Sequence, residues 1–223
     1  MEHNQITARI HHLQYISQQQ QGLSHTDAIH KALDAGCRWI QLRVKDRPVT
    51  EIHAVATAAR KLCSQYNALL IINDHPHIAK EAGADGLHLG LTDMPVPEAR
   101  NITGPAMLIG GTANTWNDVR QRTQEGVDYI GLGPFRFTST KQQLSPILGI
   151  AGYQRIMQQA TAAAISLPPI IAIGGITTAD VSALLQAGLH GIAISGVITN
   201  AADPAAVVAA INHTIFTHNQ QLC

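Results

Sequence analysis

Residues 68–74 read Ala-Leu-Leu-Ile-Ile-Asn-Asp, an unbroken apolar run followed at once by two polar residues. A run that is apolar at every position suits a parallel strand covered on both faces, since a strand with one wet face would alternate. The same pattern recurs outward in both directions, at Leu13–Ile16, Cys37–Leu42, Gly86–Leu89, Met107–Ile109, Tyr129–Leu132, Ile170–Ile173 and Gly191–Ile194. Each run ends in charged, hydroxyl or glycine residues, and helix-like segments separate the runs. Eight such units describe an α/β chain closed into a (β/α)8 barrel, the TIM-barrel architecture. There, residues just past the strand ends gather at one mouth. Segments 41–45, 73–74, 93, 112, 138–141, 174–176 and 195–196 are therefore expected to share one pocket. An open, doubly wound sheet is the alternative. It is disfavoured because eight units tile nearly the whole chain and no Gly-x-Gly-x-x-Gly follows the first run.

Between the runs, Ser24–Ala35 opens with Ser24 and Asp27 in capping-box spacing and sets Ala28, Ile29, Ala32 and Leu33 on one stripe. Thr50–Tyr66, Asn114–Glu125, Tyr153–Ala164, Thr178–Ala187 and Pro204–Ile215 predict further helices, while Ile78–Ala82 and Met94–Ile102 allow only a turn or two. The long irregular segment Gly133–Gly149 marks a loop that is either functional or disordered. No compositional break divides the 223 residues, which predicts one domain with frayed tails at 1–8 and 218–223.

Fifteen Lys and Arg residues balance fifteen Asp and Glu residues, and only 13% of the chain is charged. No overall field steers it to nucleic acid or to an anionic membrane. No run has the length of a bilayer span and the first residues lack a signal-peptide pattern, so the cytoplasm is the expected compartment. Cys37, Cys63 and Cys223 are too scattered for a disulfide framework or redox pair. The first two suit apolar packing and Cys223 a free thiol. A homo-oligomer is compatible with the composition.

The residues at the run ends carry the chemistry. In Gln41-Leu42-Arg43-Val44-Lys45-Asp46-Arg47, strand alternation sends Gln41 and Arg43 to one side and Leu42 to the other. Buried glutamine and arginine need partners, which phosphate oxygens would supply; a solvated basic loop is the plainer alternative. Asp74 and Asp93 close neighbouring runs, where two unpaired carboxylates would repel. Mg²⁺ would relieve that repulsion, because it takes few carboxylates and keeps water and phosphate oxygens as its other ligands. Helix capping is the alternative for both. Thr138-Ser139-Thr140-Lys141 offers three hydroxyls and an ammonium within the long loop. Gly174-Gly175-Ile176 and Ser195-Gly196 follow the last two runs, the recurrent position of a barrel's phosphate site. His75 and His77 lack the further ligands zinc needs. His88 reads as a hydrogen-bonded interior residue, His11 and His12 as surface or strand-edge residues, and Trp39 and Trp116 as packing residues.

With these stretches in place, the chain resembles the thiamine phosphate synthase family. Gln41 to Lys45, Ile72 to Asp74, Ala84 to Gly90, Asp93 to Pro95, Gly131 to Pro134, Thr138 to Lys141, Ile173 to Ile176 and Ile194-Ser195 carry the likeness, in order over roughly residues 13–200. The resemblance implies a transferase that condenses 4-amino-2-methyl-5-(diphosphooxymethyl)pyrimidine with a thiazole phosphate, releasing diphosphate through a pyrimidine cation. It implies that Gln41, Leu42, Arg43, Val44, Lys45, Asn73, Thr112 and Lys141 hold the pyrimidine diphosphate, with Lys45, Thr112 and Lys141 catalytic. Thr138, Ser139, Thr140, Gly174, Ile194 and Ser195 would hold the thiazole phosphate, and Asp74 and Asp93 the Mg²⁺. Phosphorylated small molecules are then the implied partners.

The chain departs from the family pattern at Thr112, where serine is common, and at Ile16-Ser17, where many members have Thr-Asp. It departs again at Phe135-Arg136-Phe137, where Arg136 either reaches the second phosphate or lies in solvent. A thiazole tautomerase-type barrel enzyme and a non-catalytic regulator binding thiazole phosphate are the rival functions. Neither requires Asn73, Asp74, Asp93 and Lys141 together.

Overall fold

Alternation within the strands sorts their side chains into two cores. Ile40, Leu42, Leu70, Ile72, Leu87, Leu89, Ile130 and Leu132 turn outward into an apolar layer shared with the helices. Trp39, Ile71, Leu108, Tyr129, Ile171 and Ala193 turn inward and fill the barrel. With both faces dry, the runs carry few polar positions before their ends. The computed structural model describes residues 10–20, 22–137 and 146–221. Its strands are β1 (Leu13–Ile16), β2 (Trp39–Leu42), β3 (Leu69–Asn73), β4 (Gly86–Leu89), β5 (Leu108–Ala113), β6 (Tyr129–Leu132), β7 (Ile170–Ile173) and β8 (Gly191–Ile194). All pair in parallel and in chain order, and β8 returns to β1 with Leu13 opposite Ile192 and Tyr15 opposite Ile194. The fold is a TIM barrel.

The outer layer consists of α1 (His25–Asp34), α2 (Val49–Gln65), α3 (Pro76–Glu81), α4 (Val96–Thr103), α5 (Trp116–Gln124), α6 (Gly149–Ala162), α7 (Val181–Gln186), α8 (Gly196–Thr199) and α9 (Pro204–Gln220). The capping box at Ser24 and Asp27 forms as expected. Thr115 with Asp118 and Thr177 with Asp180 make two more. Among the described residues, no helix is long and apolar enough to cross a membrane. Cys37, just ahead of β2, and Cys63 in α2 are buried, which pushes both thiols up to about 12 and leaves them unreactive.

Two aspartates at the strand starts lock neighbouring strands together. Asp85, ahead of β4, accepts the Leu70 amide at 2.8 Å and the Arg60 guanidinium at 2.5 Å. Asp128, ahead of β6, accepts the Ile109 amide at 2.7 Å and Arg100 at 3.0 Å. Asp128→Ala would strand the Ile109 amide and remove the ion-pair partner of Arg100, which keeps only the Gly104 and Met107 carbonyls. We expect it to lower stability by about 2–3 kcal/mol, read from the urea midpoint at unchanged m-value. A loss no larger than that of an ordinary surface substitution would contradict this role.

Several boundaries differ from the sequence reading. β5 runs on to Ala113, because Gly110 and Gly111 stay in the ladder opposite His88 and Leu89 on one side and Tyr129 and Ile130 on the other. Thr112 thus lies within a strand and not beyond it. The segment Thr178–Ala187 divides into a 3₁₀ turn, Thr178–Asp180, and α7. The last helix continues to Gln220, so residues 218–220 are helical and not frayed. His12 stacks on His190 with ring centroids 4.2 Å apart, a half-buried pair below β1 and β8.

Candidate active site

The strand order places β3 beside β4, so the residues that follow them share one side of the mouth. Asp74 leaves β3 with φ +67°, a left-handed conformation that aspartate tolerates better than most residues. Its amide donates to the His88 carbonyl at 2.9 Å, which fixes the turn. Lys45, from the loop after β2, donates to the Asp74 carboxylate. Asp93 accepts the Gly90 amide at 2.6 Å and lies within hydrogen-bond reach of Asp74. Burial and the neighbouring Asp74 carboxylate push the Asp93 carboxyl above its ordinary value, opposed by the Gly90 amide and Lys45.

Two carboxylates against one ammonium leave a site short of positive charge. Hard oxygen donors of this number suit Mg²⁺, which keeps several of its own waters. Among the described residues there is no group of three or more His, Cys, Asp and Glu side chains suited to holding a metal ion. The donor set therefore fits an ion that shares its shell with water and phosphate.

Next to this pair, a groove of about 410 Å³ runs past Ser17, His25, Arg43, Lys45 and Arg47. Ser17 is buried, lies 2.9 Å from His25 Nδ1 and accepts the Arg43 amide at 3.2 Å. The position often held by aspartate in the family thus knits β1 to the loop after β2. Burial, then the guanidinium groups of Arg47 and Arg43, keep His25 below the usual imidazole range. The groove is basic and suits an anion.

Inside the mouth, Gln41 and Asn73 are buried at the ends of β2 and β3. Thr112 Oγ1 lies 3.0 Å from His88 Nε2, and His88 Nδ1 lies 3.1 Å from the Tyr129 hydroxyl. His88 is thus the hydrogen-bonded interior residue the sequence implied. Leu42, Val44 and Ile194 differ from the rest of the expected set. Their side chains pack in the outer apolar layer, which leaves only their backbone for the mouth.

On the far side, Gly174 and Gly175 take φ +95° and +69° after β7. A Cβ on Gly174 would stand 2.8 Å from that of Pro134, so glycine lets the β6 loop close over β7. Ser195 begins α8, and its hydroxyl is buried with no hydrogen-bond partner among the described residues. A buried hydroxyl left so is costly in isolation and suits a ligand oxygen. Its carbonyl is held by Thr199 Oγ1 at 3.2 Å, which in turn lies 2.7 Å from the buried Tyr15 hydroxyl. Thr138, Ser139, Thr140 and Lys141 lie outside the described residues.

Arg136 is exposed at the mouth but paired within the protein. Both of its terminal nitrogens bind Asp180 at 2.5 Å, and it donates to the Gly175 carbonyl at 3.0 Å. The guanidinium, and secondarily the Thr177 cap, hold Asp180 down at about 2 against its ordinary 3.8. Because the folded value is the lower one, this pair stabilises fully above about pH 4 and is lost as pH falls towards 2. Arg136→Ala is expected to remove that part of the acid dependence. Melting curves taken between about pH 2 and 5 check it, and parallel curves for the two proteins would contradict it.

Sequence reading did not find Tyr129, Thr199 or Asp180. Thr177-x-x-Asp180 carried a capping-box signal, whereas the others reveal themselves only through partners distant in the chain. A family model described as thiamine monophosphate synthase matches residues 13–198. A thiamine-phosphate synthase of Bacteroides thetaiotaomicron is 49% identical over 87% of this chain and 92% of its own length. One from Phocaeicola vulgatus is 50% identical over 87% and 93%. Among solved structures, a thiamine phosphate pyrophosphorylase from Pyrococcus furiosus superposes with a TM-score of 0.79 at 26% identity, over 92% of this chain and 96% of that one.

Proposed function

The chain belongs to the thiamine monophosphate synthase family, and we propose that it is the enzyme that joins a pyrimidine methyl diphosphate to a thiazole phosphate. The products are thiamine phosphate and diphosphate. The observation that carries this reading, beside relatives at 49–50% identity, is the meeting of Lys45, Asp74 and Asp93 at one corner of the mouth. Neither a tautomerase nor a ligand-binding regulator needs that corner.

The bond between the pyrimidine methylene carbon and the diphosphate oxygen breaks, and its electron pair leaves with the oxygen. The thiazole nitrogen then donates its lone pair to the methylene cation, forming the new C–N bond. No proton is moved in that step, so no general base is required, and His88 can serve as a hydrogen-bond bridge. Asp74 and Asp93 would hold Mg²⁺, which when bound supplies positive charge to the departing diphosphate. Lys45 neutralises the same developing charge, with Lys141 as its counterpart from the long loop.

Gln41, Asn73 and Thr112 orient the pyrimidine diphosphate, aided by Arg43 and by the backbone at Leu42 and Val44. The Ser195 hydroxyl, with Gly174, the backbone at Ile194 and the Thr138 to Thr140 hydroxyls, takes the thiazole phosphate. Holding two rings face to face supplies much of the acceleration. We assign the reaction to the cytoplasm, with phosphorylated small molecules as its partners and no nucleic acid or membrane. The balanced charge of the chain argues against a nucleic-acid or anionic-membrane partner. Purified protein mixed with both substrates, with and without Mg²⁺, tests the reading by chromatography of thiamine phosphate. Product only with the metal is expected; none in its presence overturns the assignment.

A further inference from the structure

We infer that Tyr129 is a positioning residue for the pyrimidine-diphosphate half of the site, acting on Thr112 through His88. The inference rests on the function proposed above. Tyr129 is fully buried inside the barrel, with the edge of its ring against Trp39 at a centroid distance of 5.0 Å. Its hydroxyl accepts Gln14 Nε2 at 3.4 Å and lies 3.1 Å from His88 Nδ1. A phenol both accepts and donates, so it can take the Gln14 amide while bonding the His88 ring.

The ring has a seat made for it. A Cβ on Gly110 would fall 2.1 Å from Tyr129 Cζ, far inside van der Waals contact with the ring. Gly110 pairs with His88 on one side and Tyr129 on the other, so β4, β5 and β6 meet at this point. Two residues further along β5, Thr112 receives the other end of the bridge, 3.0 Å from His88 Nε2. Polar groups inside a dry barrel have few alternative partners, so a hydrogen-bonded network there restricts the orientation of its members. Loss of the phenol oxygen removes the His88 Nδ1 bond, and with it one of the contacts that orient the ring holding Thr112. Gly174 and Ser195 follow other strands, β7 and β8.

Steady-state kinetics of Tyr129→Phe in the full chain, with each substrate varied in turn, test the inference. The KM for the pyrimidine diphosphate is expected to rise about tenfold and that for thiazole phosphate to stay within about twofold. Combined with Thr112→Ala, the losses should be less than additive, because both changes cut one chain of contacts. Equal shifts in both KM values, or full additivity with Thr112→Ala, would overturn it. Should Tyr129→Phe yield no folded protein, His88→Gln must show the same selective shift, and a shift in both KM values overturns the inference. If the wild type makes no thiamine phosphate, the functional reading fails by itself. Direct titration with the pyrimidine diphosphate then decides the positioning role, which requires weaker binding by Tyr129→Phe.

Discussion

Lys45→Ala is expected to lower kcat by about 10²–10³-fold while the KM for thiazole phosphate stays within about twofold. The ammonium of Lys45 donates to Asp74, so it stands at the corner where the acidic pair gathers. Charge on diphosphate builds up as the C–O bond breaks, and a fixed cation acts most strongly on that developing charge. Its removal therefore falls on turnover more than on binding. The acidic pair would also lose its counter-ion, which leaves Asp93 still harder to ionise and weakens metal capture at mildly acidic pH. Lys141→Ala is expected to cost mainly turnover as well. Single-turnover product formation measures both, and unchanged rates would remove these lysines from the chemical step.

Asp93→Asn should abolish Mg²⁺-dependent turnover and yet raise the melting temperature of the metal-free protein by a few degrees. The Asp93 carboxyl is pushed up by burial and by Asp74, so at neutral pH its charge opposes folding. The sign follows from that direction. A raised carboxylate value means the folded state prefers the proton, and the cost of ionisation grows as pH rises through the folded value. An asparagine oxygen can still accept the Gly90 amide bond of 2.6 Å while carrying no charge. Stability gained where function is lost is the mark of a site arranged for a ligand and not for the fold. Differential scanning of both proteins in chelator checks it, and a lower melting temperature for the variant would contradict it.

The barrel was legible because its signal is local. Ile71 and Ile72 belong to opposite cores, one inside the barrel and one beneath the helices, and a run dry on both faces shows this without knowledge of its partners. The nearness of Asp74 and Asp93 followed from the order of the strands. What stayed hidden depends on contacts between distant parts of the chain. Gly110-Gly111 resembles a turn, yet its glycines make room for the Tyr129 ring and the Arg122 side chain. The partner of Arg136 was not legible because Asp180, which binds it, is 44 residues away. Leu42 and Ile194 sit within mouth motifs, but strand alternation turns their side chains away from it, and Val44 just past β2 packs in the same outer layer. Motif membership marks a backbone position; alternation decides which side chains reach the ligand.

Binding of Mn²⁺, a hard-oxygen stand-in for Mg²⁺, to the full chain with inorganic diphosphate present puts the acidic corner to direct trial. Wild-type protein should show a saturable site seen by electron paramagnetic resonance, lost alike in Asp74→Asn and Asp93→Asn. Undiminished affinity in both variants would mean that these carboxylates hold no cation, and that diphosphate leaves, if it leaves, by other means.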